Sequence, residues 1–537
     1  MKTVGMYLAE LLAAYGVEVI FGIPGVHTVE LYRGLPNTPL RHVTPRHEQG
    51  AGFMADGDAR VTGRPGVCFI ITGPGMTNIA TAMGQAYADS VPMLVISSVN
   101  ALGQIGSGEG WLHELQDQRQ LVRQVSAFSH TVTRPEELAK VVARAFALFS
   151  GSRPRPVHIE LPLDVITASA EHLPPIVQAR AALPSPPAPS QFALREAARL
   201  LNAARSPLLL LGGGAADAEP FARALAERLD APAVMTVNGR GLLPPNHPLA
   251  VPGSPSMPPV MDLIEGSDVI LAAGTEMGPT DYDFYETGRA RFRGQSIRID
   301  IDAQQLMRGQ ATDLPIIADA SDGLAALLPL VQAARHDGAS RAAATRDRLL
   351  RELSTSYRAC LHLLETVRDS LPDSIIVGDS TQPSYAGCVY FASAKPRSWF
   401  CASTGYGTLG HALPAAIGAQ LAAPDRPVVC VIGDGGLQFS LPELGAAREI
   451  EVPVILLLWN NRGYGEIKSY MISKQIQPIG VDIFTPDFQL LAKGFGCEAV
   501  KLVDPAELPA LLRAARERKA PTLIEIDEQN YVAGYAG

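Results

Sequence analysis

Asp434, Asn461 and Gly463 have the residue types and the spacing of an ion site. Asp434 follows the apolar run Val428 to Ile432, which reads as a buried strand, and sits in Gly433-Asp434-Gly435-Gly436. Asn461 closes a second apolar run, Val452 to Trp459, and Gly463 comes two residues later. A carboxylate, an amide oxygen and a carbonyl that no side chain shields are hard oxygen donors. Together with phosphate oxygens, such donors suit a magnesium ion. The glycines after Asp434 bare the first N–H groups of the next helix, where a phosphate sits well. Polar groups confined to the carboxyl ends of neighbouring strands mark the ligand-binding edge of an open parallel sheet. A lone GDG would be an ordinary glycine-rich turn. The strand-ending Asn460-Asn461 with a glycine two residues on is what makes the pattern specific.

The combination matches the thiamin-diphosphate motif residue for residue. The chain resembles the thiamin-diphosphate enzymes of the pyruvate decarboxylase and acetolactate synthase group. The resemblance implies thiamin diphosphate and Mg2+ as cofactors, with Asp434, Asn461 and the Gly463 carbonyl holding the metal on the diphosphate. Gly433, Gly435, Gly436 and Tyr464 fall at the cofactor with them. Gly378-Asp379-Ser380-Thr381 follows the strand at Ser374 to Val377 and resembles the family's diphosphate-contacting turn. In Gly405–Gly410, Leu409 matches the bulky residue under the thiazolium, and the Gly407 carbonyl matches the acceptor for the exocyclic amine.

Glu48 lies in Arg46-His47-Glu48-Gln49-Gly50-Ala51, ahead of a small-residue helix that runs to Arg60. Alone, it reads as a helix-start glutamate favoured by the macrodipole. HEQGA followed by ITGPG-x-TN (Ile71 to Asn78) resembles the family's pyrimidine-binding domain. That resemblance makes Glu48 the carboxylate on the aminopyrimidine and puts Gly73 beside the cofactor. A carboxyl group sharing a proton with that ring makes the exocyclic nitrogen basic.

Residues 103 to 119, GQIGSGEGWLHELQDQR, read as a rim loop. His113 stands where the family's decarboxylases begin a double histidine, and Glu114 replaces the second. Both are kept as catalytic candidates, with Glu466, which lies one position from a catalytic glutamate of simple decarboxylases. After Pro24-Gly25 those enzymes place an aspartate; here Val26 and His27 follow and are candidate substrate residues. Thr280–Tyr285 (TDYDFY) adds Asp281 and Asp283. The loops at 112–118, 280–285, 378–385 and 460–468 together resemble those of decarboxylases of a guanidinium-bearing 2-oxo acid. A buried cation needs a counter-charge, and a planar fork of donors is best met by a carboxylate. The candidates are Glu114, Asp281, Asp283 and Glu466. The expected reaction is non-oxidative decarboxylation of a small 2-oxo acid to an aldehyde. The alternative is an acetolactate synthase-like carboligase, which joins the decarboxylated fragment to a second carbonyl. A non-catalytic paralogue would not need Glu48, Asp434 and Asn461 intact.

The elements that must position these residues alternate between helices and strands along the chain. A chain of 537 residues exceeds one hydrophobic core, so about two to three domains are expected. The apolar share of 47% with only 6% aromatic residues suits buried parallel sheets covered by helices. The resemblance sharpens this to an α/β fold of three doubly wound parallel-sheet domains. They are a pyrimidine-binding domain at 1–170, a central domain at 191–335 and a diphosphate-binding domain at 350–537. A Pro-rich linker at 171–190 separates the first two. In the central domain, Leu208 to Ala218 reads as strand, glycine turn and helix. That is a weak dinucleotide signal, and no functional FAD is expected from it or from Asp300 and Asp302. The family's cofactor bridges domains of different subunits, so a homodimer or homotetramer is implied. A net charge of −9 leaves no nucleic-acid footprint. No apolar segment spans a bilayer. Six scattered cysteines without a CxxC pair indicate reduced thiols in a cytoplasmic protein.

Overall fold

The computed structural model describes residues 1–284, 286–288, 292–310 and 312–536. Tyr285, at the end of the TDYDFY loop, lies outside the described residues. Strands gather into three six-stranded sheets. The first contains β1 (Val19–Gly22), β2 (Arg41–Val43), β3 (Gly66–Ile70), β4 (Met93–Val99), β5 (Phe128–Thr131) and β6 (Val157–Pro162). Their order is β2-β1-β3-β4-β6-β5. The second contains β7 (Pro207–Leu211), β8 (Ala233–Met235), β9 (Ala250–Val251), β10 (Val269–Ala273), β11 (Gln295–Asp300) and β12 (Leu314–Ile317). It runs β12-β11-β10-β7-β8-β9, the doubly wound nucleotide-fold order. The third contains β13 (Ile375–Gly378), β14 (Trp399–Cys401), β15 (Val428–Gly433), β16 (Ile455–Asn460), β17 (Glu498–Leu502) and β18 (Thr522–Asp527).

The third sheet runs β14-β13-β15-β16-β18-β17, the order of the first sheet repeated. Pairing within it is parallel throughout. Its central strands are near-continuous apolar runs, buried along almost their whole length. Such runs are what a parallel sheet covered on both faces requires. Order reverses between β13 and β15, so GDST and GDGG emerge side by side at the switch point.

The helix expected after GDGG is two helices, Asp434–Ser440 and Glu443–Glu449. Pro442 has no N–H to continue the first, and the chain turns there. The segment at 171–190 contains a short helix, Ile176–Ala179. It is fastened to the N-terminal helix, since Tyr7 Oη donates to Pro174 O at 3.0 Å and Ala181 N donates to Tyr15 Oη at 3.0 Å. In the central domain, Gly212 packs directly on Gly274, and a β-carbon there would run into the Gly274 carbonyl.

The first and third sheets share one hydrophobic core. At its centre the Glu48–Thr62 helix lies against the Ala412–Ala422 helix. A β-carbon on Gly57 would strike Ala415 O, and one on Gly418 would strike Met54 O. Glycine at both positions lets the two backbones touch. Beside them Arg60 pairs with Asp56 at 2.6 Å and with Asp89 at 2.5 Å, and His411 Nε2 reaches Asp56 Oδ2 at 3.0 Å. Burial raises the Asp56 carboxyl, and the Arg60 and His411 partners outweigh it, holding the group at about 2. The junction therefore contains a fully buried ion network that joins the Glu48 helix to the segment bearing Gly407 and Leu409.

Candidate functional site

Asp434 is 1% exposed at the first turn of the helix after β15. Its Oδ1 accepts from Asn461 N at 3.4 Å. Its Oδ2 is buried and has no donor. Asn461 Oδ1 is also buried without a partner. The amide faces this way because its Nδ2 donates to Gln382 Oε1 at 3.4 Å and also faces Glu528. Trp459 Nε1 donates to the same two carboxyl and amide oxygens, Gln382 Oε1 at 3.1 Å and Glu528 Oε2 at 3.0 Å. Two buried oxygens left without donors are costly unless something electropositive meets them. A hard divalent cation completes such a pair, and the donor set is right for one. Among the described residues no cluster of three or more His, Cys, Asp or Glu side chains could hold a metal.

Gly463 has Val481 O packed on its α-carbon, so no side chain fits. Tyr464 N donates to Val481 O at 2.9 Å, and the Tyr464 ring lies on Gly435. Burial pushes the Asp434 carboxyl upward, against the N–H groups of Asn461, Gly435 and Gly463.

Asp379, in the turn expected at the diphosphate, keeps its side chain fully buried as a hub. Oδ1 accepts from Ser380 N at 2.9 Å and Gly410 N at 3.1 Å, and Oδ2 accepts from Ala412 N at 2.9 Å. A β-carbon on Gly436 would lie 2.8 Å from Oδ1. One carboxylate thereby fastens the GDST turn, the Gly405–Gly410 segment and the GDGG helix start. Ser380 Oγ and Thr381 Oγ1 stand at the rim of this assembly, Thr381 against Gly433. Gly407 is exposed, with φ +75°, and Leu409 is half-buried. Their neighbour Thr408 is held from the N-terminal domain, where Gln85 Oε1 accepts from Thr408 Oγ1 at 2.8 Å.

In the first domain, the two quoted motifs meet. Asn78 Nδ2 donates to Glu48 Oε2 at 2.9 Å, and Gly75 lies against Glu48 Oε1. Gly73 backs directly on His113, whose φ is +61°. The His113 ring lies 5.1 Å from the His27 ring, and both Nδ1 atoms are buried without partners. Burial, then His113, lowers the His27 pKa. The chain thus makes a histidine pair from two separate loops. Val26 beside it points outward and is 68% exposed.

The acidic candidates separate. Glu114 accepts from Gly108 N at 2.7 Å, Gly110 N at 2.8 Å, Trp111 N at 3.0 Å and Ser107 Oγ at 3.1 Å. It organises its own loop, and those donors hold its pKa below the usual range. Asp283 does the same with Thr287 N and Gly288 N, each at 2.8 Å. Burial pushes Asp281 up to about 6, with Arg240 beside it. Glu466 remains exposed on the Gly465–Ser473 helix. It faces Tyr385, whose phenol burial pushes up to about 12.

Sequence reasoning missed Gln382, Glu528, Gln118 and Glu443. Gln118 is buried; its Oε1 accepts from Gly73 N at 3.1 Å and its Nε2 donates to Glu160 Oε2 at 3.1 Å. Glu443 reaches across from the third domain to accept from Arg46 N at 3.0 Å and His47 N at 3.1 Å, capping the Glu48 helix. The residues touching Glu48 belong to the first domain, and those around Asp434 to the third.

Three profiles of one family match the chain in order. They are described as thiamine pyrophosphate enzyme, N-terminal TPP binding domain (residues 2–121), central domain (194–327) and C-terminal TPP binding domain (379–526). A protein of Pseudomonas aeruginosa named "Probable 2-ketoarginine decarboxylase AruI" is 47% identical over 98% of this chain and 94% of its own length. The acetolactate synthase isozyme 1 large subunit of Escherichia coli is 33% identical over 97% of this chain and 93% of its own. The acetolactate synthase large subunit of Corynebacterium glutamicum is 32% identical over 96% and 85%. Among the described residues no helix is long and apolar enough to cross a membrane.

Proposed function

The chain belongs to the thiamine pyrophosphate enzymes, and from that premise we propose that it decarboxylates a guanidinium-bearing 2-oxo acid without oxidation. The substrate is 5-guanidino-2-oxopentanoate, released as 4-guanidinobutanal and carbon dioxide. Thiamin diphosphate, when bound, supplies a nucleophilic carbon and a sink for the electron pair that carbon dioxide leaves behind. Asp434 Oδ2, Asn461 Oδ1 and the Gly463 carbonyl would hold Mg2+ together with the diphosphate. Gln382 and Glu528 keep the Asn461 oxygen free for it. Glu48, steadied by Asn78, would hold the proton shared with the pyrimidine ring.

The observation that carries the decarboxylase reading is the His27–His113 pair. Two imidazoles with free buried Nδ1 atoms, beside the Glu48 segment, can deliver the proton that an aldehyde product needs. The second reading, a carboligase, is favoured by the acetolactate synthase relatives. Two copies of the chain would face the Glu48 region of one toward the Asp434 region of the other. The exposed Trp111 and Leu112 near the first, and Ile467 and Tyr470 near the second, suit such burial.

With Glu114 and Asp283 satisfied inside their own loops and the buried Asp281 already facing the Arg240 charge, Glu466 is the carboxylate left for the guanidinium. The test measures products and charge selectivity together. Aldehyde, and not a 2-hydroxyketone, is expected from the guanidino acid. Glu466→Gln should cost roughly 2–5 kcal/mol in kcat/KM on that substrate, the range for breaking a hydrogen-bonded charge pair. A neutral 2-oxo acid of similar length should lose far less. A hydroxyketone product returns the carboligase reading, and parallel losses on both substrates remove Glu466 from tail recognition.

A further inference from the structure

Cys388 and Cys401 face each other with their sulfurs 3.3 Å apart. Cys388 sits near the end of the Gln382–Val389 helix and is half-buried; Cys401 ends β14 and is fully buried. The other four cysteines are all buried. Arg240, itself buried, donates to the carbonyls of Gly387 and Cys388, so its guanidinium stands next to both thiols. A neighbouring arginine favours the thiolate, which is the reactive form of cysteine. The two thiols titrate as a pair: the hydrogen bond from the Cys388 thiol, with the Ser403 N–H, lowers the Cys401 pKa against burial, while the same hydrogen bond and burial raise that of Cys388, so the first charge forms on Cys401. Once one proton is lost, the other can cross the short gap, so either sulfur can carry the charge.

The two sulfurs are rooted in the cofactor-binding turns. The helix that carries Cys388 begins at Gln382, the residue that orients Asn461. A β-carbon on Gly378, at the start of the GDST turn, would lie 2.9 Å from Cys401 Cβ. The residues after Cys401 lead directly to Gly407 and Leu409.

We propose that Cys388 and Cys401 form a reversible oxidation site, in which a peroxide joins them as a disulfide and displaces the turns that hold the cofactor. The half-buried Cys388 sulfur attacks one peroxide oxygen. The O–O bond breaks, and the departing hydroxide takes the thiol proton as water. Cys401 sulfur then attacks the sulfenic sulfur of Cys388; the S–S bond forms, the S–O bond breaks, and a second water leaves with the Cys401 proton. Two thiols lose two electrons and one peroxide gains them. A bond of about 2.05 Å must replace the 3.3 Å contact, so the two elements move together by roughly an ångström. Displacements of that size at a reacting centre slow turnover on the order of tenfold or more.

The test treats the holoenzyme, loaded with thiamin diphosphate and magnesium, with a small excess of hydrogen peroxide. Expected are a Cys388–Cys401 cross-linked peptide in a non-reducing digest, weaker thiamin diphosphate binding by tryptophan fluorescence, and a loss of turnover on the order of tenfold. Dithiothreitol should reverse all three. Cys388→Ala should keep full basal turnover and lose the cross-link and the reversible inhibition. Cys388→Ser serves the same purpose if the alanine variant folds poorly. Absence of the cross-linked peptide at a peroxide dose that oxidises exposed methionines overturns the proposal. So does a cross-link formed with unchanged cofactor affinity and turnover.

Discussion

Glu48 and Asp434 stand at the carboxyl edges of two sheets with the same strand order, yet their surroundings differ in kind. Asp434 and Asn461 are supported by residues of their own domain, Gln382, Trp459 and Glu528, and they keep two oxygens bare. Glu48 has Asn78 on one oxygen, and the start of its helix is fixed by Glu443 from the other domain. The Asp434 half is thus a local device, built by residues of one domain. The Glu48 half depends on how two domains meet. The same topology serves a carboxylate with bare oxygens supported within one domain in one place, and a carboxylate whose helix is fixed across the domain junction in the other.

Changing each half in turn should expose that difference. Glu48→Gln should lower turnover by roughly 10²–10⁴, the range for losing a proton-transferring group, with little change in thiamin diphosphate affinity. Steady-state rates and cofactor titration check it, and a variant near wild-type speed would remove Glu48 from the proton path. Asp434→Ala should act in the opposite way, abolishing magnesium-dependent retention of thiamin diphosphate through gel filtration. The expected weakening is at least on the order of 100-fold, since even the partners of metal ligands cost that much. Retention equal to wild type would contradict the metal assignment. Gln382→Leu sharpens the comparison, because it removes none of the three assigned metal donors and frees the Asn461 amide to turn. Roughly 10–100-fold weaker magnesium activation is expected, measured as the half-saturating concentration.

The difference between the halves also explains what the sequence disclosed. GDGG and NN-x-G were legible because each is a short pattern directly after a strand, and the alternation of strand and helix announced the α/β fold. HEQGA and ITGPG-x-TN were legible as motifs, and Asn78 does hold Glu48. Gln382 and Glu528 were not legible, because each reaches Asn461 from a distant stretch of chain and has no motif of its own. His27 and His113 were each named, but only folding puts their rings 5.1 Å apart. Glu114 misled because a carboxylate in a glycine-rich loop is equally suited to bind bare N–H groups in that loop, and it does so. The hub made by Asp379 was not legible for a related reason: a polar residue after a strand can face the neighbouring turn as well as a ligand.

The smallest effect on turnover is expected at Glu443, which tests the domain junction and not the chemistry. Its carboxyl is 2% exposed, and burial pushes its pKa up to about 7, against the pull of the Arg46 and His47 N–H groups and the Arg46 charge. A carboxyl whose folded pKa is raised adds stability that is complete below its unfolded pKa. That stability is lost as pH rises through the folded value. Between about pH 5 and 8 the ionising Glu443 should therefore weaken the junction, by up to about 3 kcal/mol if the whole shift is felt as stability. Glu443→Gln keeps an oxygen for the two N–H donors and removes the charge. The variant should be less sensitive to pH over that window, and at pH 8 at least as stable as the parent. Urea midpoints at several pH values measure the slope directly. An identical slope in parent and variant would show that Glu443 does not titrate in the folded chain, and would move the origin of any pH dependence to another buried group.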